Sequence, residues 1–261
     1  MRFPSSAGSD DPPGEPFRSG DPPFRPGGMN PEVRQYPLAF ATGDPPSFDN
    51  FVTGRNEAAV DAVRAAAAGR GDRYLYLSGP GGTGKTHLLI AAARAAAGFY
   101  LDPGEPGVGP EVTERLEDTC LVCLDGIGAA AGRPEWERAL FRMFNALENA
   151  GTPLFVSDRL PPGRLGLDLP DLASRLASGL VLRLAVLGED ELERVLVTRA
   201  RERGFELSRQ VASYLVTRER RDVRHLLALL DRLDHHSLAA RRPVTIPFVR
   251  AMLEKAGQPR S

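Results

Sequence analysis

The pattern of apolar and polar positions divides the chain into three stretches. Residues 1–34 show no periodic apolar face, and eleven of the 23 prolines fall within the first 46 residues, among Gly, Ser and Asp. Such a segment cannot bury enough apolar surface to offset the entropy of ordering it, so it reads as a disordered tail. Over residues 48–187, short apolar runs alternate with helical periodicity. Residues 73–77 and 121–124 read as buried strands, 99–101 as a short strand, and 153–156 and 180–184 as two more. Residues 56–68, 86–93 and 135–149 read as helices between them. Asn56 is expected to cap the first and Gly69 to stop it. The third places Trp136, Leu140, Phe144 and Leu147 on one face. Strands alternating with helices predict the α/β class, a parallel sheet flanked by helices. Beyond residue 188 the pattern is helical only, over 189–203, 208–218, 221–240 and 247–255. This predicts a small helical lid over 188–257.

Length and composition agree with that division. At 261 residues there is room for one ample core and a small second domain. Hydrophobic content of 42% and charged content of 26% are globular values, which exclude a wholly disordered or membrane-embedded class. A net charge of −1 gives no whole-chain electrostatic signature for nucleic acid. The two cysteines, Cys120 and Cys123, fall in one apolar run. Three apart on a strand, they would point to opposite faces, which favours core packing over a shared metal or a disulfide. So few cysteines indicate a reducing setting. No apolar run reaches membrane-spanning length and the N-terminus lacks an apolar signal core, so a cytoplasmic location without membrane attachment is expected.

The strongest chemical signal lies between the first predicted strand and the helix after it. Gly79-Pro80-Gly81-Gly82-Thr83-Gly84-Lys85-Thr86 matches the phosphate-binding pattern G-x-x-x-x-G-K-[ST] at every fixed position. Glycines let the backbone curl so that successive N–H groups face one concavity, and the helix N-terminus adds its own N–H groups. Lys85 supplies a charge for the outer phosphates, and the Thr86 hydroxyl can ligate Mg²⁺. Only two of the 33 basic residues are lysines, Lys85 and Lys255, so a lysine at this position is no accident of composition. About 40 residues on, Asp125 ends an apolar strand and is the expected second Mg²⁺ group, acting partly through water. In many ATPases of this architecture the next residue is a carboxylate that activates water. Here it is Gly126, which predicts weak self-hydrolysis, unless another residue such as Asp158 positions the water.

Longer segments resemble the AAA+ family, in the branch of the bacterial replication initiator DnaA and, within it, the Hda-type regulators. Phe48-Asp49-Asn50-Phe51-Val52-Thr53-Gly54 resembles the segment before the first helix. Ser157-Asp158-Arg159 resembles the first sensor, Leu169–Leu176 the stretch bearing the arginine finger, and Asp222–Leu226 the second sensor. Residues 203–207, 230–234 and 245–249 carry the likeness to the regulators, which spans roughly residues 35–255. The resemblance implies an AAA+ P-loop core with a C-terminal helical lid binding ATP or ADP with Mg. Phe51 and Val52 would lie near adenine, Asp158 and Arg224 would reach the nucleotide, and Arg175 would act in trans on a neighbouring protein's nucleotide.

Ahead of the core, Gln35-Tyr36-Pro37-Leu38-Ala39-Phe40 resembles the Q-x-x-L-x-F peptide that docks on the bacterial sliding clamp. Leu38 and Phe40 would serve as apolar anchors and Gln35 as a rim hydrogen bond, in a docking and linker segment over 35–47. The sequence ends after the lid pattern, so no helix-turn-helix domain and no sequence-specific DNA binding by this chain alone are expected. Together these readings imply a nucleotide-binding regulator that docks on the clamp and stimulates ATP hydrolysis by DnaA. An autonomous remodeller such as a helicase loader, or an adaptor propped by nucleotide, remain the alternatives, and a homo-oligomer stays open.

Overall fold

In the computed structural model the described residues are 45–219, 223–240 and 244–256. Five parallel strands, β1 (Tyr74–Ser78), β2 (Phe99–Leu101), β3 (Val122–Leu124), β4 (Leu154–Asp158) and β5 (Leu180–Arg183), form one sheet in the order β2-β3-β4-β1-β5. Every pairing is parallel, with Leu75 opposite Phe155 and Cys123 opposite Phe155 on the other side. Strand alternation sends Leu75, Leu77, Cys123 and Phe155 to one face and Tyr76, Val122, Leu124, Leu154 and Val156 to the other. Both faces of the central strands are covered, so these read as continuous apolar runs rather than alternating ones, whereas the edge strand β5 is largely exposed, Leu180 and Val181 included.

Helices α1 (Glu57–Ala67) and α2 (Lys85–Ala95) cover the first face with Val60, Val63, Leu88 and Leu89. Helices α3 (Pro134–Ala150) and α4 (Pro170–Ala177) cover the second. The four apolar positions predicted for α3, Trp136, Leu140, Phe144 and Leu147, are all buried there. A separate apolar cluster joins α5 (Glu189–Glu202), α6 (Arg209–Arg218), α7 (Val223–Ala240) and α8 (Ile246–Ala256), forming the predicted lid. Among the described residues no helix is long and apolar enough to cross a membrane.

Three details differ from the sequence reading. Asn56 stands at the N-cap position of α1 but makes no capping hydrogen bond. Its amide instead donates to the carbonyl of Ala185 (2.9 Å) and accepts from the Ala185 N–H (2.8 Å), bracing α1 to the exit of β5. β3 begins at Val122, so Cys120 lies outside the strand and half-buried, while Cys123 alone is in the core. Finally, α4 is a full helix where the sequence offered only a motif. Eight residues beginning with Pro at its first position, with Leu172 and Leu176 buried, are too short for periodicity alone to reveal.

Candidate functional site

At the carboxyl ends of the strands, the loop between β1 and α2 opens into a cavity of about 520 Å³. Its lining includes Gly81, Gly82, Thr83, Gly84, Lys85 and Thr86 from the loop and the first turn of α2. Gly79 and Pro80 form the base of the loop, where Gly79 packs so closely under Leu184 that a Cβ would lie 2.4 Å from its carbonyl oxygen. Gly84 takes φ +91°, and a Cβ there would meet the Phe51 ring at 2.5 Å. The pattern's last glycine is thus required twice, for its backbone conformation and for the ring that closes over it.

The Lys85 ammonium donates to the carbonyls of Gly79 (2.7 Å) and Pro80 (2.9 Å). Burial lowers its pKa, while Asp125 and Asp158 pull it back up. Asp125 is buried, with one carboxylate oxygen accepting from Tyr100 Oη at 2.8 Å and the other from Ser157 Oγ. A carboxylate has about four acceptor positions, so both oxygens retain capacity for a metal-bound water. Thr86 and Asp125 line the same cavity. Mg²⁺ commonly takes one or two protein oxygens, phosphate oxygens and waters, so this donor set fits it without a three-carboxylate cage. Among the described residues no such cluster of three metal-ligating side chains occurs.

Asp158 also lines the cavity, but its carboxylate is engaged by backbone. One oxygen accepts from the Gly128 N–H (2.7 Å) and the other from the Leu160 N–H (3.0 Å), tying the loop after β3 to the end of β4. The apolar part of the lining comes from two places, Phe51 and Val52 before α1 and Leu187, Val223 and Leu227 of the lid region. Phe51 makes an edge contact with His87 on α2, ring centroids 5.2 Å apart. The lid is held by Arg55 to Glu191 (2.9 Å) and by Arg199 to the Asn50 carbonyl (3.0 Å). One cleft therefore combines a phosphate-binding loop, acidic side chains and apolar side chains, the requirements of a nucleotide.

Most cavity residues expected from the sequence are thus together. Arg224 follows Val223 on α7, but its side chain lies outside the described residues, as do Gln35, Leu38 and Phe40 altogether. Arg175 is not at this cavity. It sits on α4, paired with Glu148 of α3, its guanidinium 5.8 Å from the centre of the Phe144 ring. The sequence reading passed over Asp102, at the end of β2, and gave Arg159 no role of its own; both line the cavity. An acid just after the 99–101 apolar run was the available signal for Asp102, repeating the strand-then-Asp pattern of Asp125.

Comparison with known proteins agrees on both halves. Residues 189–253 match the family model of the Hda lid domain. The structure is similar to a replication initiator DnaA bound to AMPPCP and single-stranded DNA, with TM-score 0.63 and 22% identity over 72% of this chain and 64% of that one. It is also similar to domain III of the Thermotoga maritima DnaA, with TM-score 0.66 and 19% identity over 83% of this chain and 99% of that domain. A RuvB variant of Thermotoga maritima gives TM-score 0.62 and 22% identity over 80% of this chain and 72% of that one. This chain thus spans slightly under two thirds of the initiator it matches. At these identities the likenesses show the fold, which is that of AAA+ proteins, and the lid match makes the chain similar to Hda-type, DnaA-related proteins.

Proposed function

We propose that this chain binds an adenine nucleotide with Mg²⁺ and acts as an Hda-type regulator, docking on the sliding clamp through Gln35, Leu38 and Phe40 and stimulating ATP hydrolysis by DnaA through Arg175. The observation that carries the reading is the separation of Arg175 from the chain's own cavity, on a helix that already leans on α3. An arginine outside its own subunit's cavity fits a role on a neighbouring protein's nucleotide, once released from Glu148. In trans, an arginine stabilises charge on a transferring phosphoryl group, worth about 10³–10⁵ in rate in other systems. Thr86 and Asp125 would hold the metal, which neutralises phosphate charge; Lys85 and the loop N–H groups would hold the phosphates. Gly126 in place of a carboxylate fits a nucleotide retained as a conformational ligand rather than consumed quickly.

The clamp-docking part rests on the Q-x-x-L-x-F spacing and on its place ahead of the core. Short peptides bind modestly, and a clamp with more than one pocket would engage more than one regulator. The test is DnaA ATPase with DNA-loaded clamp, comparing the intact chain with Arg175→Ala and with a variant carrying Ala at 35, 38 and 40. Loss of stimulation in both supports the reading. Full stimulation by Arg175→Ala would remove the trans role, and unchanged clamp binding by the triple variant would remove the docking peptide.

A further inference from the structure

We propose that Asp102 takes the place of the carboxylate missing at position 126 and holds the attacking water for slow hydrolysis of the chain's own ATP. The inference rests on the nucleotide site proposed above and not on any action on DnaA. Gly126 adopts φ +64°, a backbone conformation that L side chains rarely take, so position 126 is poorly suited to carry an acid. A Cβ built there would lie 3.8 Å from Asp102 Oδ1. Asp102, delivered from the end of the neighbouring strand β2, thus brings a carboxylate to the space that a side chain at 126 would enter.

The other acids of the cavity carry more protein hydrogen bonds: Asp125 accepts from Tyr100 and Ser157, and Asp158 from two backbone N–H groups, one on each oxygen. Asp102 Oδ1 accepts from the Gly104 N–H at 2.7 Å, which fixes its orientation. Among the described residues no hydrogen bond reaches its Oδ2. Asp102 lines the cavity, and its carboxylate, with a single protein hydrogen bond, keeps acceptor capacity for a water.

In the step proposed, the water oxygen bonds to the terminal phosphorus while the bond from phosphorus to the bridging oxygen breaks. The bridging electron pair leaves with ADP. The water proton passes through Asp102 to a phosphate oxygen, giving ADP and inorganic phosphate. Positioned proton transfer of this kind contributes about 10²–10⁴-fold.

The experiment uses the full chain with Mg-ATP in single turnover, together with equilibrium binding of ATP and ADP. Asp102→Asn keeps the shape and removes the charge. It is expected to bind ADP as the unmodified chain does, to lose roughly 10²-fold in hydrolysis, and to raise the ATP-to-ADP affinity ratio several-fold, because a negative charge facing the terminal phosphate is gone. Unchanged hydrolysis, an unchanged affinity ratio, or no Mg-dependent turnover in the unmodified chain would each overturn the proposal while leaving the nucleotide site intact. Failure of the unmodified chain to bind either nucleotide would overturn the site itself and the proposal with it. Should Asp102→Asn lose ADP binding too, Asp102→Glu decides: measurable hydrolysis supports the role of the carboxylate, and none refutes it.

Discussion

Asn56→Ser separates two roles that the same residue could play. As a helix cap, Asn would be replaced by Ser at almost no cost, since both are good caps, while Asn56→Ala would lose about 1 kcal/mol. As the brace seen in the structure, Ser is too short to reach Ala185, and Ser and Ala should be equally damaging. Two hydrogen bonds link the Asn56 amide to the N–H and carbonyl of Ala185, from a side chain that is only 5% exposed. Each is worth about 0.5–1.5 kcal/mol net, and orphaned backbone groups add to the loss. Ala185 is itself half-buried, so water will recover part of it. The expected cost is about 2 kcal/mol for either variant. Urea unfolding followed by fluorescence of Trp136, the sole tryptophan and fully buried under the sheet, reads it directly. Because Ala185 lies two residues before the cavity-lining Leu187, both variants should also weaken ADP binding. A Ser variant within 0.5 kcal/mol of the unmodified chain, beside an Ala variant clearly below it, would refute the brace and restore the cap.

Two further outcomes follow from ion pairs. Glu148→Gln removes the carboxylate that holds Arg175; both partners are substantially exposed, so stability should change by less than about 1 kcal/mol. Stimulation of DnaA ATPase should rise if Glu148 restrains the arginine, and a fall would show that the pair orients it. Glu191 accepts from the Gly188 N–H and from Arg55, and these bonds hold its carboxyl below the usual carboxylate range. A pKa lowered by folding stabilises the native state above the unfolded-state value, and that contribution disappears as pH falls through the folded one. Acid should therefore weaken the lid attachment, and Glu191→Gln should flatten the acid limb of a stability-versus-pH curve. An identical acid limb in the variant would show that Glu191 contributes nothing there.

The sheet and the phosphate loop were legible in the sequence because each rests on a local rule. Buried parallel strands read as apolar runs, and the loop pattern specifies backbone chemistry residue by residue. What escaped were features made by residues distant in sequence. Asn56 obeyed the local cap rule in appearance, yet a partner 129 residues away captured its amide. Asp102 carries no motif of its own, and it becomes a cavity residue only because β2 pairs with β3 and so ends beside Asp125. The two-lysine composition identified Lys85, but nothing local could show that its ammonium folds back onto the loop carbonyls.

Glu137 shows how the two regions of interest are joined. It is 2% exposed, on α3, and its carboxylate accepts three backbone N–H groups, from Gly132 (3.0 Å), Asp168 (3.1 Å) and Leu169 (2.7 Å). A buried carboxylate is tolerated only when so satisfied, and losing one partner leaves a costly orphan charge. Gly132 belongs to the stretch that follows Asp125 and Gly126, which line the cavity. Leu169 immediately precedes α4, the helix that carries Arg175. One acid thus anchors the stretch after the cavity and the start of the arginine helix together. Glu137 thereby fixes the start of α4, and Glu148 and Phe144 of α3 hold Arg175 further along it, so α3 sets the position of the arginine at both points.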